Sequence, residues 1–265
     1  MHYLDEGSGP PVLLLHGEPT WSYLYRKIIP ELSSGPSPAA RAIAPDYFGF
    51  GRSDKPLRGE DYTYDFHETS IVRLVEELDL RELTVVVQDW GGPIGLRLAV
   101  EHPDRIARLV IMNTGIGGGR PPSDEWLRFR DFVRRVGTDL IPGKLVRISS
   151  VQPMSDEVED AYTAPWPVPE SKAGILAFPD LVPISPDHPD TPVHLAVREQ
   201  LARWEKPALV LFSDSDPIFT PRVAERIAEL IPGALEPEIV AGAGHFLQED
   251  MGPQIGARIA RFVSA

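Results

Sequence analysis

Short apolar runs alternate with longer amphipathic stretches along most of the chain. Buried strands are predicted at residues 12–15, 42–44, 83–87, 109–112, 208–212 and 238–240. Helical spacing of apolar residues covers positions 21–32, 64–78, 93–101, 221–230 and 254–262, and Gly35 is expected to follow the end of the first helix. Such alternation is typical of a mainly parallel sheet flanked by helices. The predicted fold class is therefore α/β.

The pattern breaks in the middle of the chain, where no convincing strand is found. Residues 121–192 contain 12 prolines, about one in six, against roughly 5% in an average protein. Helical spacing is visible within this stretch at residues 125–136 and 156–162. A small helical cap explains this better than a disordered linker. We predict a core of residues 1–115 and 193–265, interrupted by a cap of residues 116–192.

Composition and charge exclude several classes of protein. The 265 residues include 39 acidic and 26 basic ones, a formal net charge of -13, and no cysteine. A disulfide scaffold, a thiolate nucleophile and a sulfur-ligated metal site are therefore excluded. The acidic excess argues against nucleic acid or a membrane as a partner, and no apolar stretch approaches the roughly 20 residues that span a bilayer. The start of the chain lacks the features of a secretory signal, so we expect a cytoplasmic protein.

The strongest local signal for chemistry is the segment that leads through Gln88 into Asp89, Trp90 and two glycines. A strand, a tight glycine turn and a helix form a nucleophile elbow, which projects one side chain over the edge of the sheet. Here that residue is Asp89, and Gly-x-Ser-x-Gly does not occur. Attack by a carboxylate on a saturated carbon leaves an ester that water can cleave, whereas attack by serine leaves a stable ether. The simpler alternative is that Asp89 only caps the following helix.

Hydrolysis of such an ester needs a general base and an acid that orients it. His245 follows the last predicted strand in a loop of small residues, which fits the chain order nucleophile, acid, histidine. Carboxylates follow the strand at residues 208–212, and we predict Asp216 as the acid, with Asp214 as the alternative. Asn113 stands after the strand at residues 109–112, so that second acid position is empty.

Two further residues are candidates for stabilising negative charge. Glu18 lies after the first predicted strand, where backbone N–H groups can face an oxyanion. A glutamate suits that place only if its backbone does the stabilising and its carboxyl group holds a water or stays protonated; otherwise it is a solvated loop residue. The indole N–H of Trp90 could face a departing anion, although a tryptophan of the core is the simpler reading.

Four segments together resemble the haloalkane dehalogenases of the α/β-hydrolase fold, over the whole chain. They are residues 16–27, which begin His16-Gly-Glu18-Pro, residues 44–56, which run from Ala44-Pro-Asp to Pro56, Gln88-Asp89-Trp90-Gly-Gly, and residues 243–250, which contain His245-Phe-Leu-Gln. The resemblance is closest to the branch with an Asp-His-Asp triad. It implies an α/β-hydrolase fold with a helical cap inserted after the sixth strand of the family.

The resemblance also implies roles for individual residues and a reaction. Asp89 would be the nucleophile, His245 the base and Asp216 the acid, and Trp90 would stabilise the halide and share the oxyanion hole with Glu18. Haloalkane and water would give alcohol and halide through a covalent alkyl-aspartate, with neither metal nor organic cofactor. The expected partners are a small apolar halogenated substrate and water, and a monomer is expected.

The chain departs from the family pattern in two places. The second halide-binding tryptophan of the cap is hard to locate, because the predicted cap has only Trp126 and Trp166, and Phe129 stands where the family residue is expected. We assign Trp126 to that role as a hypothesis, in which it exchanges places with Phe129. The short N-terminus matches the family only from its second strand, which affects stability more than chemistry.

Epoxide hydrolases are the main alternative, because they resemble this chain in the aspartate nucleophile and the cap. They commonly protonate the epoxide oxygen with a pair of cap tyrosines, yet Tyr162 is the only tyrosine after Tyr64. A haloacid dehalogenase would need an arginine near Asp89, where Gln88 and Trp90 stand. An inactive ligand-binding protein of this fold is a third alternative, but all three triad residues are present in order.

Overall fold

One sheet of seven strands carries the fold of residues 1–34 and 40–265, which the computed structural model describes. The strands are β1 (Tyr3–Gly7), β2 (Pro11–Leu15), β3 (Arg41–Pro45), β4 (Leu83–Gln88), β5 (Ile106–Met112), β6 (Ala208–Ser213) and β7 (Glu238–Val240). Their order in the sheet is β1-β3-β2-β4-β5-β6-β7. Only β1 runs antiparallel to its neighbour, β3. The predicted α/β class with a mainly parallel sheet is confirmed.

Helices lie along both faces and at one end of this sheet. The α-helices are α1 (Ile29–Ser33), α2 (Tyr64–Glu77), α3 (Gly91–Glu101), α4 (Asp124–Val136), α5 (Pro142–Ile148), α6 (Asp156–Thr163), α7 (Ala173–Ala177), α8 (Thr191–Leu201), α9 (Pro221–Leu230) and α10 (Leu247–Val263). Six short 3-10 helices accompany them, of which Ser22–Tyr25 lies near the site described below. In the part of the chain that the structure describes, no helix is long and apolar enough to cross a membrane.

The central strands are apolar throughout because helices cover both faces of the sheet. All six residues of β4 are buried. Val85 and Val87 pack in one apolar cluster, and Val86 packs in a second. Alternate side chains of a strand point to opposite faces, so these two clusters lie on the two sides of the sheet. This layering explains why the predicted strands read as continuous apolar runs.

The structure corrects several details of the predicted elements. All six predicted strands are present, but β1 was missed because its residues are partly or fully exposed and show no apolar run. The predicted helix at residues 21–32 is wrong as a single element. It is divided into the 3-10 helix Ser22–Tyr25 and α1, which begins next to Pro30. Gly35, expected after that helix, lies outside the described residues. The last helix begins at Leu247 rather than at residue 254 and is kinked at Met251.

Between β5 and β6 the chain leaves the sheet. Residues 116–192, which we call the helical segment, contain α4, α5, α6 and α7, and the described part of this segment has no strand. The indole N–H of Trp166 donates to the carbonyl of Gly49 at 2.9 Å, which fixes the segment to the loop after β3. The helical segment thus lies over the carboxyl ends of the strands, where α/β proteins place their ligands.

Candidate active site

Asp89 occupies a tight turn between β4 and α3. Its φ of 49° lies in the left-handed region that a residue with a side chain rarely adopts. A Cβ atom at Gly91 would meet the carbonyl oxygen of Leu15 at 2.2 Å, and one at Gly17 would meet the Asp89 carboxylate at 2.2 Å. Only glycine leaves room for the turn below Asp89 and for the loop beside it. The turn is also held by Thr114, whose hydroxyl donates to the Asp89 carbonyl at 2.6 Å.

The Asp89 carboxylate is surrounded by donors of the main chain. The backbone N–H of Glu18 donates to Oδ1 at 2.8 Å, and the neighbouring backbone N–H of Trp90 also favours the charged form of this carboxylate. Burial raises the pKa of Asp89, and the nearby His245 and these N–H groups oppose the shift without cancelling it. The two N–H groups therefore converge where negative charge on the Asp89 carboxyl group would develop.

His245 lies between two carboxylates. Its Nδ1 is 2.8 Å from Asp216 Oδ2, and its Nε2 is 3.7 Å from Asp89 Oδ2. Burial by itself would lower the pKa of His245, but the two aspartates outweigh that effect and raise it. The side-chain amide of Gln88 lies 3.2 Å from Nε2. Donation by that amide fits the tautomer in which Nδ1–H donates to Asp216 and Nε2 is unprotonated and accepts.

Asp216 and Asp214 have different surroundings although they share one loop. Asp216 is buried and accepts hydrogen bonds from the backbone N–H groups of Ile218 at 2.7 Å and Phe219 at 3.0 Å. Burial would raise the pKa of Asp216, but His245 and these donors lower it. The carboxylate of Asp214 is exposed and instead accepts from the backbone N–H of Gly242 at 3.1 Å. The structure brings Asp216 to His245 and leaves Asp214 at the surface.

Asn113 is a site residue whose contribution the sequence did not reveal. It is fully buried, and its amide nitrogen lies 2.7 Å from Ser213 Oγ, 3.1 Å from Asp216 Oδ2 and 3.0 Å from the Gly244 carbonyl. Its amide oxygen accepts from the Ser213 backbone at 2.9 Å. Asn113, directly after β5, thus connects the loop that contains Asp216 to the loop that contains His245. Its place directly after a central strand was the signal that could have revealed this.

Glu18 lies beside Asp89 in an apolar setting. Its side chain is 5% exposed, and Oε1 has no hydrogen-bond partner among the described residues. Burial, and then the neighbouring Asp89 charge, raises the pKa of Glu18 well above its usual value. A solvated loop glutamate does not fit this environment. With this raised pKa, the Glu18 side chain stays protonated to higher pH than an ordinary glutamate. This agrees with one of the two conditions given above for a glutamate at this position, namely that its carboxyl group stays protonated.

Two cavities meet at Asp89. The first measures about 350 Å³ and is lined by Glu18, Asp89, Asp216 and His245 from the core, and by Trp126, Phe129 and Leu145 from the helical segment. The second measures about 610 Å³, and its wall includes Asp89, Trp90 and Trp126. Asp89 and Trp126 thus border both cavities, whereas Phe129 borders only the first.

The tryptophans differ in whether their indole N–H groups are free. Trp166 uses its N–H in the bond to Gly49. Trp90 packs edge to face on Phe178 with 4.8 Å between ring centroids. Among the described residues, the bond from Trp166 to Gly49 is the only hydrogen bond donated by a tryptophan indole. Trp90 and Trp126, which border the second cavity, therefore have indole N–H groups without an acceptor among the described residues, whereas Trp166 does not.

Comparison with known proteins places this geometry in context. The family model of the alpha/beta hydrolase fold matches residues 10–137 and 181–251. The chain is 47% identical to a haloalkane dehalogenase of Mycobacterium marinum over 98% of this chain and 87% of the relative. It is 44% identical to a haloalkane dehalogenase of Mycolicibacterium paratuberculosis over 100% of this chain and 88% of that relative.

Solved structures give the same result. The tetrameric haloalkane dehalogenase DpaA from Paraglaciecola agarilytica superposes with a TM-score of 0.91 at 34% identity, over 97% of this chain and 85% of that one. The haloalkane dehalogenase DatA from Agrobacterium tumefaciens superposes with a TM-score of 0.86 at 27% identity, over 99% of this chain and 92% of that one.

Proposed function

The chain belongs to the haloalkane dehalogenase family of the alpha/beta hydrolase fold, and on this premise we propose how its own residues cleave a carbon–halogen bond. The observation that carries the proposal is the position of the Asp89 carboxylate, with the Glu18 N–H at 2.8 Å and His245 Nε2 at 3.7 Å. The net reaction converts a haloalkane and water into an alcohol, a halide ion and a proton.

The first step is displacement at the carbon that bears the halogen. An oxygen of the Asp89 carboxylate attacks this carbon in line with the departing halide, so that a carbon–oxygen bond forms as the carbon–halogen bond breaks. The halide leaves with the electron pair and accepts hydrogen bonds from the indole N–H groups of Trp90 and Trp126. Both side chains border the second cavity, and among the described residues the only indole N–H with an acceptor is that of Trp166.

The second step is hydrolysis of the alkyl ester on Asp89. His245 Nε2 takes a proton from water, and the resulting hydroxide attacks the carboxyl carbon of Asp89. The backbone N–H groups of Glu18 and Trp90 stabilise the oxyanion, and Asp216 stabilises the imidazolium through its 2.8 Å contact with Nδ1. The bond between the carboxyl carbon and the alkoxy oxygen then breaks, and this oxygen takes the remaining proton of the water and departs as the alcohol. Asp89 is regenerated as a carboxylate, and the first proton passes from His245 to solvent.

Glu18 contributes through its carboxyl group as well as its backbone. Because its pKa is raised by burial and by Asp89, the side chain is proposed to act as a neutral acid that holds the hydrolytic water in the first cavity. A neutral group adds no negative charge beside the oxyanion. This resolves the apparent conflict between a glutamate at this position and the charge that develops there.

Trp126 is proposed as the second halide donor in preference to Phe129 and Trp166. It borders the cavity that contains Trp90, whereas Phe129 borders only the other cavity. Trp166 already donates its indole N–H to Gly49. We propose that Trp126 and Phe129 have exchanged places one helical turn apart, which keeps one indole and one phenyl ring in the wall.

The helical segment of residues 116–192 is proposed to be the cap, with the core formed by residues 1–115 and 193–265. Its aromatic and aliphatic side chains line the first cavity, which suits a small apolar substrate. The family model skips residues 138–180, inside this segment. We also propose a monomer in a reducing, cytoplasmic compartment. Light scattering of the purified protein would distinguish a monomer from the tetramer described for DpaA.

The epoxide hydrolase alternative is not favoured. Tyr162 is fully buried, and its hydroxyl donates to Glu249 at 2.7 Å. It borders neither of the cavities that meet at Asp89. This tyrosine is therefore not placed to protonate an epoxide oxygen, and the relatives compared above are haloalkane dehalogenases.

Trapping the ester tests the mechanism directly. In His245→Gln the first step is retained and the second is blocked, so incubation with 1-bromobutane should leave a butyl group on the peptide that contains Asp89, detected by mass spectrometry. His188→Gln, a change at a histidine of the helical segment outside both cavities, is the matched control and should turn over without a trapped adduct. Bromide release by the unmodified enzyme without any adduct in His245→Gln would contradict the role of Asp89.

A further inference from the structure

The two cavities at Asp89 have different chemistry. The first contains the groups that hydrolyse the ester, namely His245, Asp216 and Glu18. The second contains the free indole donors of Trp90 and Trp126 and lacks those three groups. The groups proposed to act on water and those proposed to bind halide thus border different cavities.

Arginines surround the second cavity. Arg120, Arg198 and Arg226 line it, and Asp89 is its single acidic lining residue. Within residues 1–34 and 40–265, none of these arginines lies within 4.0 Å of a carboxylate, although most ion pairs of the chain use arginine. Arg198 instead donates to the Ile116 carbonyl at 3.2 Å, which directs it along the loop that borders the cavity.

His194 adds a neutral polar group to the same wall. It is 1% exposed and lines the second cavity, and neither ring nitrogen has a partner among the described residues. Burial, and then the nearby His188 and Arg97, lowers the pKa of His194 to about 4. The ring is therefore uncharged at neutral pH, so the positive charge of this wall comes from the arginines.

We propose that the second cavity is an anion vestibule through which halide reaches and leaves the Trp90 and Trp126 donors. This inference rests on the proposed function. The whole chain carries a formal charge of -13, so its average field repels an anion, and a local cluster of cations creates a path of favourable potential. A neutral haloalkane gains nothing from this field, so the vestibule acts on the halide and not on the substrate.

The test is the rate at which bromide associates with the enzyme, followed by stopped-flow tryptophan fluorescence without turnover. At low ionic strength, Arg198→Gln/Arg226→Gln should lower that rate about three- to tenfold, and the difference should shrink as salt screens the charges. The control Arg73→Gln/Arg261→Gln makes the same change in net charge at exposed helix positions that do not line the second cavity. It should change the rate by less than about twofold.

The outcomes separate this proposal from the proposed function. Single-turnover alkylation by neutral 1-bromobutane should be unchanged in Arg198→Gln/Arg226→Gln. Equal bromide rates in the two double variants, or no fluorescence response to bromide in an enzyme that releases bromide from 1-bromobutane, would overturn the vestibule and leave the dehalogenase mechanism intact. An enzyme that binds bromide as described but releases none from any haloalkane would overturn the proposed function and leave the anion site.

Discussion

At the scale of single residues, the site depends on how two aspartates of one loop are oriented. Asp216 accepts hydrogen bonds from two backbone N–H groups, and its Oδ2 lies 2.8 Å from Nδ1 of His245. Asp214 instead accepts a hydrogen bond from the backbone N–H of Gly242 at the surface. The two residues are both aspartates two positions apart in the same loop, so the difference comes from the backbone path of the loop and not from residue type. The orientation of a loop carboxylate is therefore what decides which one can hold the imidazole.

Asparagine substitutions separate the two aspartates. Asp216→Asn removes the charge that stabilises the imidazolium, so steady-state turnover of a haloalkane should fall about 10³- to 10⁴-fold. Alkylation of Asp89 should continue, and the ester should accumulate. Asp214→Asn is the matched control and should retain turnover within about threefold. Halide release in steady state and mass spectrometry of the Asp89 peptide measure both effects, and equal losses in the two variants would contradict the assignment.

Residue identity and chain order were enough to predict that several residues of this candidate site lie together. Asp89, Asp216 and His245 lie together because the carboxyl ends of parallel strands meet at one edge of the sheet. The part played by Asn113 could not be predicted, since its hydrogen bonds reach residues 100 and 131 positions away. The protonation of Glu18 was open for the same reason, because it depends on burial that only the folded chain creates.

At the scale of elements, the start of α10 connects the histidine loop to the helical segment. The Asp250 carboxylate accepts hydrogen bonds from three backbone N–H groups, those of Gly244 at 2.8 Å, Gln152 at 2.8 Å and Val151 at 3.1 Å. The backbone N–H of His245 donates to the Ser149 carbonyl at 2.9 Å. His245, the proposed base, is thus fixed to the wall of the first cavity as well as to the sheet.

Replacing the Asp250 carboxylate should loosen the loop of His245 and the adjoining part of the helical segment together. Asp250→Ala leaves three backbone N–H groups without their acceptor, so turnover should fall about tenfold through a misplaced His245. Amide exchange at Val151 and Gln152 should become faster, which a local effect on the catalytic loop alone would not produce. Asp131→Ala, at an exposed position of α4, is the control. Unchanged exchange in Asp250→Ala would show that other contacts hold the segment.

Element boundaries were predicted less well than the elements themselves. The early start of α10 was missed because the predicted pattern began after Pro253, which lies inside the helix beyond a kink at Met251. The edge strand β1 lacks an apolar run because it packs at the border of the sheet and leaves much of itself exposed. In both places tertiary packing overrides the local sequence signal.

At the scale of the whole molecule, an ionic network around the buried Glu249 joins segments that are distant in sequence. Glu249 of α10 accepts hydrogen bonds from Arg26 at 2.7 Å, Lys27 at 2.7 Å and the Tyr162 hydroxyl at 2.7 Å. Arg26 and Lys27 precede α1, and Tyr162 belongs to α6 of the helical segment. Breaking this network by removing one partner leaves buried charges without compensation.

The network predicts how stability depends on pH. Burial alone would raise the pKa of Glu249, but the bonds from Arg26 and Lys27 outweigh it and lower the pKa from 4.5 to about 2. A lowered folded-state pKa stabilises the protein above the unfolded value, and this contribution is lost as the pH falls through the interval from 4.5 to about 2. Glu249→Gln should therefore lower the free energy of unfolding by about 3 kcal/mol at neutral pH. In urea titrations this gap to the unchanged protein should close toward the acid end of that interval, whereas Glu199→Gln, at an exposed ion pair, should cost less than about 1 kcal/mol at every pH. A gap that stays constant across the interval would show that Glu249 acts by packing rather than by charge.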